Sequence, residues 1–220
     1  MDLLLSWSGG KDSALTLRLL LRSDRYRIRA LLTTVTEGYD RVSMHGVRRE
    51  LLHAQASSLG LPLEEVLIPR NASGAIYEKR MRTVLEKYLD MGVTTVAFGD
   101  LFLADIRAYR EARLGEIGMK GIFPLWHRRT DRLAKQFIDL GFKAVTCCVD
   151  AKKLSRGFCG VPFDREFLTM LPRGVDPCGE NGEFHTFVSG GPLFRREIGF
   201  DLGRVVSRKG FYFADLILTG

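Results

Sequence analysis

Near the amino terminus, Ser8-Gly9-Gly10-Lys11-Asp12-Ser13 sets hydroxyls, glycine backbone, an ammonium and a carboxylate at a spacing suited to holding an anion. Adjacent glycines let a chain turn sharply and bring its N–H groups near a ligand with no Cβ in the way. Asp12 or Ser13 can cap the helix that follows, and its first turn offers unpaired donors and partial positive charge. The apolar Leu3-Leu4-Leu5 precedes the loop and the leucine-rich stretch Ala14 to Leu21 follows it. A strand–glycine–helix junction of this kind receives phosphate. Far along the chain, Asp176 to Val188 gathers Glu180, Asn181, Glu183, His185 and Thr186, with Gly179 and Gly182 to bend the backbone. If a strand begins near Glu183, Glu183 and His185 share a face by the period of two. Such a set can orient a nucleophile, accept a proton or bind magnesium. A polar turn entering a strand is the plain alternative.

Spacing separates the first loop from other phosphate sites. A Walker A loop needs four residues between its glycine and its Gly-Lys-Ser/Thr, whereas these glycines are contiguous. A dinucleotide fingerprint needs Gly-x-Gly-x-x-Gly, and no glycine follows Gly10 until Gly38. Ser8 to Ser13 instead resembles the pyrophosphate loop of the N-type ATP pyrophosphatases. That resemblance implies ATP as cofactor, cleaved to pyrophosphate and an adenylate. The phosphates would lie against Ser8, Gly9, Gly10 and Ser13 with Lys11 nearby, and Mg²⁺ would be held by Asp12 and Asp100.

The elements that must position these residues alternate. Arg27 to Val35 reads as a second strand, Val47 to Leu59 as a helix ended by Gly60, and Glu65 to Ile68 as a third strand. Ser73 to Met91 is the next helix, with Tyr77, Met81, Val84 and Tyr88 as its stripe. Val93 to Phe98 is a β-branched fourth strand running into Gly99-Asp100. Strands alternating with helices predict a doubly wound, mostly parallel sheet of Rossmann-like α/β class, with ligands beyond the strands' carboxyl ends. Ser8 to Ser13, Thr33 to Gly46 and Gly99-Asp100 should therefore meet, with Thr33 and Thr34 facing adenosine. His45 is an adenylate-site residue or a plain loop histidine.

Phe102 to Gly118 reads as a helix carrying Arg107, Arg110 and Arg113, either a solvated basic face or a surface aimed at phosphate or an acidic substrate. Gly121 to Trp126 follows as a short strand. Thr130 is the expected cap of a helix burying Leu133, Phe137 and Leu140, and Phe142 to Val149 is a strand. From Asp150 the pattern changes to glycine and proline punctuation, a short helix over Asp164 to Leu171, and strands at Glu183–Val188, Leu193–Phe200, Arg204–Lys209 and Phe211–Leu218. The expected division is an ATP-binding domain over 1–118 and a smaller α+β closing domain over 119–220.

The chain has 220 residues, 45% hydrophobic and 27% charged, enough to build such a core. No apolar run approaches the ~20 residues of a membrane span, and Asp2 leads straight into the first strand without a signal-peptide pattern, so a cytoplasmic protein is expected. Cys147, Cys148, Cys159 and Cys178 form no Cys-x-x-Cys pair, which supports neither a zinc ribbon nor a redox motif. The formal charge of +7 attracts polyanions, but the basic residues are dispersed, so nucleic acid is not the favoured partner.

The pyrophosphate loop, Gly99-Asp100, Pro124-Leu125-Trp126 and Gly179-Glu180-Asn181-Gly182-Glu183-Phe184-His185-Thr186 follow the order seen in the diphthine–ammonia ligase family, and the chain resembles its shorter members over essentially its whole length. The resemblance implies an amide ligase that joins ammonia to a carboxylate and releases AMP and pyrophosphate. Lys11, Asp12, Glu180, Glu183 and His185 would be catalytic, and Asn181, Thr186 and Arg107 would bind substrate. The implied acceptor is diphthine on a translation elongation factor. His185 stands where archaeal members carry glutamate, and Ser43 to Gly46 resembles bacterial members, which makes another acid the alternative. A homo-oligomer is the expected assembly. A tRNA-modifying enzyme of the same loop superfamily and a non-catalytic adenine-nucleotide binder are the competing readings.

Overall fold

The structure is a computed structural model describing residues 1–42 and 46–219, so His45 lies outside the described residues. β1 (Asp2–Ser6) is the expected apolar run, and Leu3, Leu4 and Leu5 are wholly buried. α1 (Lys11–Leu21) begins directly after the glycines with Gly10 as N-cap and no capping side chain. Neither Asp12 nor Ser13 caps it: the Ser13 hydroxyl turns back to the Gly10 carbonyl at 2.8 Å. β2 (Arg27–Thr36) runs past the expected end and pairs with the two-residue β3 (Arg41–Val42), too short to leave a sequence signal. α2 (Arg49–Leu59) stops at Gly60, whose φ of 68° is the left-handed cap that glycine adopts without strain.

β4 (Leu63–Ile68), α3 (Gly74–Asp90) and β5 (Thr95–Ala97) follow in the expected order, with the Ser73 hydroxyl capping α3 at Ile76 N. α4 (Ala104–Gly115) leads to β6 (Lys120–Ile122), shorter than expected because Pro124 cannot donate to a ladder and the chain turns there. α5 (Thr130–Asp139) has Arg129, not Thr130, at its N-cap.

Five strands form a parallel sheet in the order β4-β2-β1-β5-β6, with β3 antiparallel at the end of β2. Strand order reverses between β1 and β5, which opens a crevice at their carboxyl ends. The pleat sends Leu3 and Leu5 to one core, with Leu17 and Leu20 of α1 and Leu51 and Leu52 of α2. It sends Leu4 to the other, with Leu85 and Tyr88 of α3 and Leu114 of α4. Helices thus cover both faces, the doubly wound class expected.

β7 (Lys143–Asp150), α6 (Arg165–Met170), β8 (Phe184–Gly190), β9 (Phe200–Arg208) and β10 (Phe211–Leu218) complete the chain. The four strands form an antiparallel sheet ordered β8-β7-β10-β9. The strand expected over Leu193–Phe200 is absent: Gly191 (φ 133°) and Pro192 turn the chain, and β9 starts only at Phe200. Phe163, Phe184 and Phe187 pack into the same core as α1 and α2, so the second sheet closes over the first sheet's helical layer. Among the described residues no helix is long and apolar enough to cross a membrane.

Candidate active site

The loop Ser8 to Ser13 leaves β1 at the switch point and is fixed from both sheets. Gly9 has φ 78°, and a Cβ there would lie 2.8 Å from Gln55 Oε1. Its carbonyl accepts from Gln55 Nε2 at 3.0 Å and from the Val188 N–H of β8 at 2.9 Å. Gly10 N donates to Ser8 Oγ at 3.3 Å, and Ser8 Oγ lies 3.3 Å from Ser13 Oγ. Lys11 N donates to Thr186 Oγ1 at 3.1 Å, so Thr186 completes the start of α1. Gly99 also packs closely: a Cβ there would come within 3.1 Å of the Asp12 backbone carbon.

The Lys11 ammonium reaches away from the loop into the second sheet. It donates to Asp12 Oδ2 at 2.8 Å and to the Cys178 carbonyl, and lies over the Phe184 ring, 5.4 Å from its centroid. Burial opposes its charge, but Asp12, Cys178 and Glu180 outweigh that and keep it protonated, its pKa raised. The other Asp12 oxygen, Oδ1, is buried with no partner.

The run Asp176 to Glu183 folds on itself. Asp176 Oδ2 accepts the N–H groups of Cys178 (3.1 Å) and Glu180 (3.0 Å). Glu183 Oε1 accepts Asp176 N (3.2 Å) and Asn181 Nδ2 (3.1 Å). Glu183 is only 2% exposed, and its Oε2 has no hydrogen-bond partner. Asp176, Asn181 and Glu183 thus bond one another within the turn, and the carboxylate with no bond inside it is that of the half-buried Glu180. Its Oε1 accepts Leu101 N at 2.7 Å, across to the residue after Asp100. Burial, with Asp12 and Asp100 adding to it, pushes the Glu180 carboxyl up to about 7. Burial, with Lys11 adding to it, lowers the His185 imidazole to about 4 and keeps it neutral near pH 7.

Thr33, Thr34 and Ser8 line a cavity of about 570 Å³ that reaches between α3 and α4 to Tyr77 and Tyr109. That is within the roughly 300–1,000 Å³ of small-molecule sites. Thr33 is 4% exposed and its Oγ1 has no partner. Asp100 is held by Arg110 of α4, Nε to Oδ2 at 2.8 Å. Arg107 is engaged away from the loop, with Glu111 at 2.8 Å and stacked on Phe123 and Trp126, each centroid 4.8 Å away. Among the described residues no group of three or more His, Cys, Asp or Glu is disposed to hold a metal ion. The unpartnered Asp12 Oδ1 can still contribute one ligand where phosphates supply the rest, whereas the ion pair with Arg110 makes Asp100 a poorer one.

Three features escape sequence reasoning. Gln55 reads as an ordinary polar helix residue, Leu101 acts through its backbone, and Arg110 is one of three equally spaced arginines. Trp7, one residue before the loop, donates its Nε1 to Gln55 Oε1 at 2.9 Å.

A glycine loop at the switch point of a parallel sheet, with a cavity beside it, defines a pyrophosphate-loop protein. Residues 1–121 match the diphthamide synthase N-terminal domain and residues 129–214 the diphthamide synthase C-terminal domain, so the chain belongs to the diphthamide synthase family. Diphthine–ammonia ligase of Bos taurus is 27% identical over 193 residues, spanning 80% of this chain and 70% of that protein. Diphthine–ammonia ligase of Schizosaccharomyces pombe is 28% identical over 103 residues, 43% of this chain and 17% of that longer protein.

Proposed function

We propose that this chain is an ATP-dependent amide ligase that adenylates a carboxylate and then transfers ammonia to it. The observation that carries the reading is the junction of the two motifs: Lys11 N bonds Thr186, and Lys11 Nζ bonds the Cys178 carbonyl. The phosphate loop and the Gly179–Thr186 run therefore form one site, and the names of the relatives supply the reaction class. We divide the chain into an ATP-binding part over 1–118 and a closing part over 119–220.

Adenosine occupies the cavity beside Thr33 and Thr34, and the phosphates lie along Ser8 to Ser13. Mg²⁺, when bound at Asp12 and the phosphates, neutralises charge on the departing pyrophosphate. A carboxylate oxygen of the acceptor attacks the α-phosphorus, and the bond to pyrophosphate breaks. The nitrogen of ammonia then attacks the acyl carbon, the bond to AMP breaks, and the nitrogen loses a proton. Glu180 takes that proton: a carboxyl near 7 matches the ambient pH, whereas a neutral imidazole near 4 is a much weaker base. Lys11 stabilises charge at the junction. The enclosed site protects the acyl adenylate from water.

The acceptor carries a carboxylate, diphthine in the reaction that names the relatives. The four cysteines are buried, and burial raises all four thiols, which disfavours a thiolating tRNA enzyme. The test is product analysis with ATP, ammonium and a panel of carboxylate acceptors including a diphthine peptide. AMP and pyrophosphate are expected, and ADP with phosphate would overturn the reading.

A further inference from the structure

The strongest unassigned device is a buried amide on α2. Gln55 is 0% exposed, and its side chain makes three hydrogen bonds, two to the chain leaving β1 and one to β8. Oε1 accepts from Trp7 Nε1 at 2.9 Å, while Nε2 donates to the carbonyls of Gly9 (3.0 Å) and Val188 (2.7 Å). A hydrocarbon side chain in its place orphans Trp7 Nε1 and takes a donor from the Gly9 and Val188 carbonyls, and buried polar groups are expensive to orphan. The contact is also close: Gly9 has no room for a Cβ on the Gln55 side.

A peptide carbonyl turned one way sends the following N–H the other way. With the Gly9 carbonyl fixed toward Gln55 and Val188, the next amide of the loop, that of Gly10, is turned away from α2 toward Ser8 Oγ. Through Val188 the same amide fixes β8, whose Thr186 accepts from Lys11 N. We propose that Gln55 is a positioning residue: it sets the orientation of the phosphate loop and ties it to the strand that carries His185 and Thr186. This rests on the reading that the loop binds the nucleotide.

Two variants test it. Gln55→Leu keeps the approximate size and removes every hydrogen bond. It should raise the KM for ATP at least about ten-fold, the worth of one such bond, with a smaller change in the KM for the acceptor. A residue that only stabilised the fold would lower the melting temperature and leave both KM values alone. Gln55→Glu puts a carboxyl between two carbonyls, which raises its pKa; protonated, it donates one hydrogen bond again, and ionised it repels both acceptors. Its kcat/KM relative to the unaltered enzyme should therefore recover as pH falls from 8 to 6. A Gln55→Leu enzyme with unchanged KM for ATP overturns the proposal, as does a Gln55→Glu deficit that is flat with pH. If Gln55→Leu does not fold, the pH profile decides, and if neither variant folds, Gln55 is structural only and the proposal fails. An unaltered enzyme that releases no pyrophosphate from ATP fails the functional reading instead, so the two failures are distinct.

Discussion

Glu180 Oε1 accepts the backbone N–H of Leu101 at 2.7 Å, joining a half-buried carboxylate of the second motif to the residue that follows Asp100. The bond supplies direction to a group whose burial pulls it toward neutrality. Because the base must be ionised to accept a proton, the rate should fall as pH drops below about 7. Glu180→Gln should lower kcat by about 10²–10⁴-fold and remove that acidic limb. A pH–rate profile with the limb intact in the variant would assign the base elsewhere.

The same burial has a stability consequence of opposite sign. The folded carboxyl is raised toward 7 from an ordinary 4.5, so its contribution to stability is present at low pH and is lost as pH rises through about 7. Glu180→Gln should therefore melt higher than the unaltered protein at pH 8 and about equally at pH 4. Calorimetry at the two pH values reads the difference.

Asp12 presents one oxygen to Lys11 and leaves the other buried without a partner. Asp12→Asn keeps the shape and removes the charge. We expect an increase of roughly ten-fold or more in the Mg²⁺ needed for half-maximal turnover, in line with the worth of a charge-assisted contact. A magnesium titration of ATP-dependent pyrophosphate release measures it.

Asp176 does not line the cavity beside Thr33, yet it accepts both N–H groups that shape the turn carrying Glu180. Asp176→Ala should cost about 1–3 kcal/mol in urea unfolding. It should also speed hydrogen exchange at the Leu101 amide, because the carboxylate that holds that proton loses its support. Unchanged exchange at Leu101 would separate the two bonds.

Asp215 of β10 bridges Arg41 and Arg48 at 2.8 and 2.9 Å, with its carboxyl held down to about 2 chiefly by the Arg48 hydrogen bonds. Its stabilisation is present above the ordinary 3.8 and is lost as pH falls toward about 2. Asp215→Asn should lose about 1 kcal/mol at pH 7, since the group is partly exposed. The deficit should shrink between pH 4 and pH 2, as denaturation curves would record.

The first sheet was legible because each signal was local. Leu3 to Leu5, the paired glycines and the leucines of α1 lie within one stretch, Gly60 ends α2 in the left-handed conformation that glycine favours, and Gly99 follows β5 closely. The second sheet was less so. Leu193, Phe194 and Ile198 suggested a strand, yet Gly191 and Pro192 bend the chain and Arg195 and Arg196 bond Ser58 on α2 instead of a neighbouring strand. Glu180, Glu183 and Asn181 were found together, but their division of labour was hidden. Which carboxylate stays outside the turn's own bonds depends on the N–H groups that Asp176 accepts, and those bonds exist only once the turn has closed. Gln55 carried no signal, because its partners lie 46, 48 and 133 residues away.

The Thr186 hydroxyl that receives Lys11 N belongs to a different sheet from the helix it completes. Neither half thus owns the phosphate loop. A lineage that exchanged the second sheet for another module would leave the Lys11 N–H at the start of α1 without its acceptor and the Gly9 carbonyl with Gln55 alone. Exchange of parts therefore costs about 1–3 kcal/mol for the orphaned donor unless the incoming strand offers a hydroxyl at the same height. A chimera joined between β6 and α5 should therefore be more stable when both pieces come from relatives that share this seam.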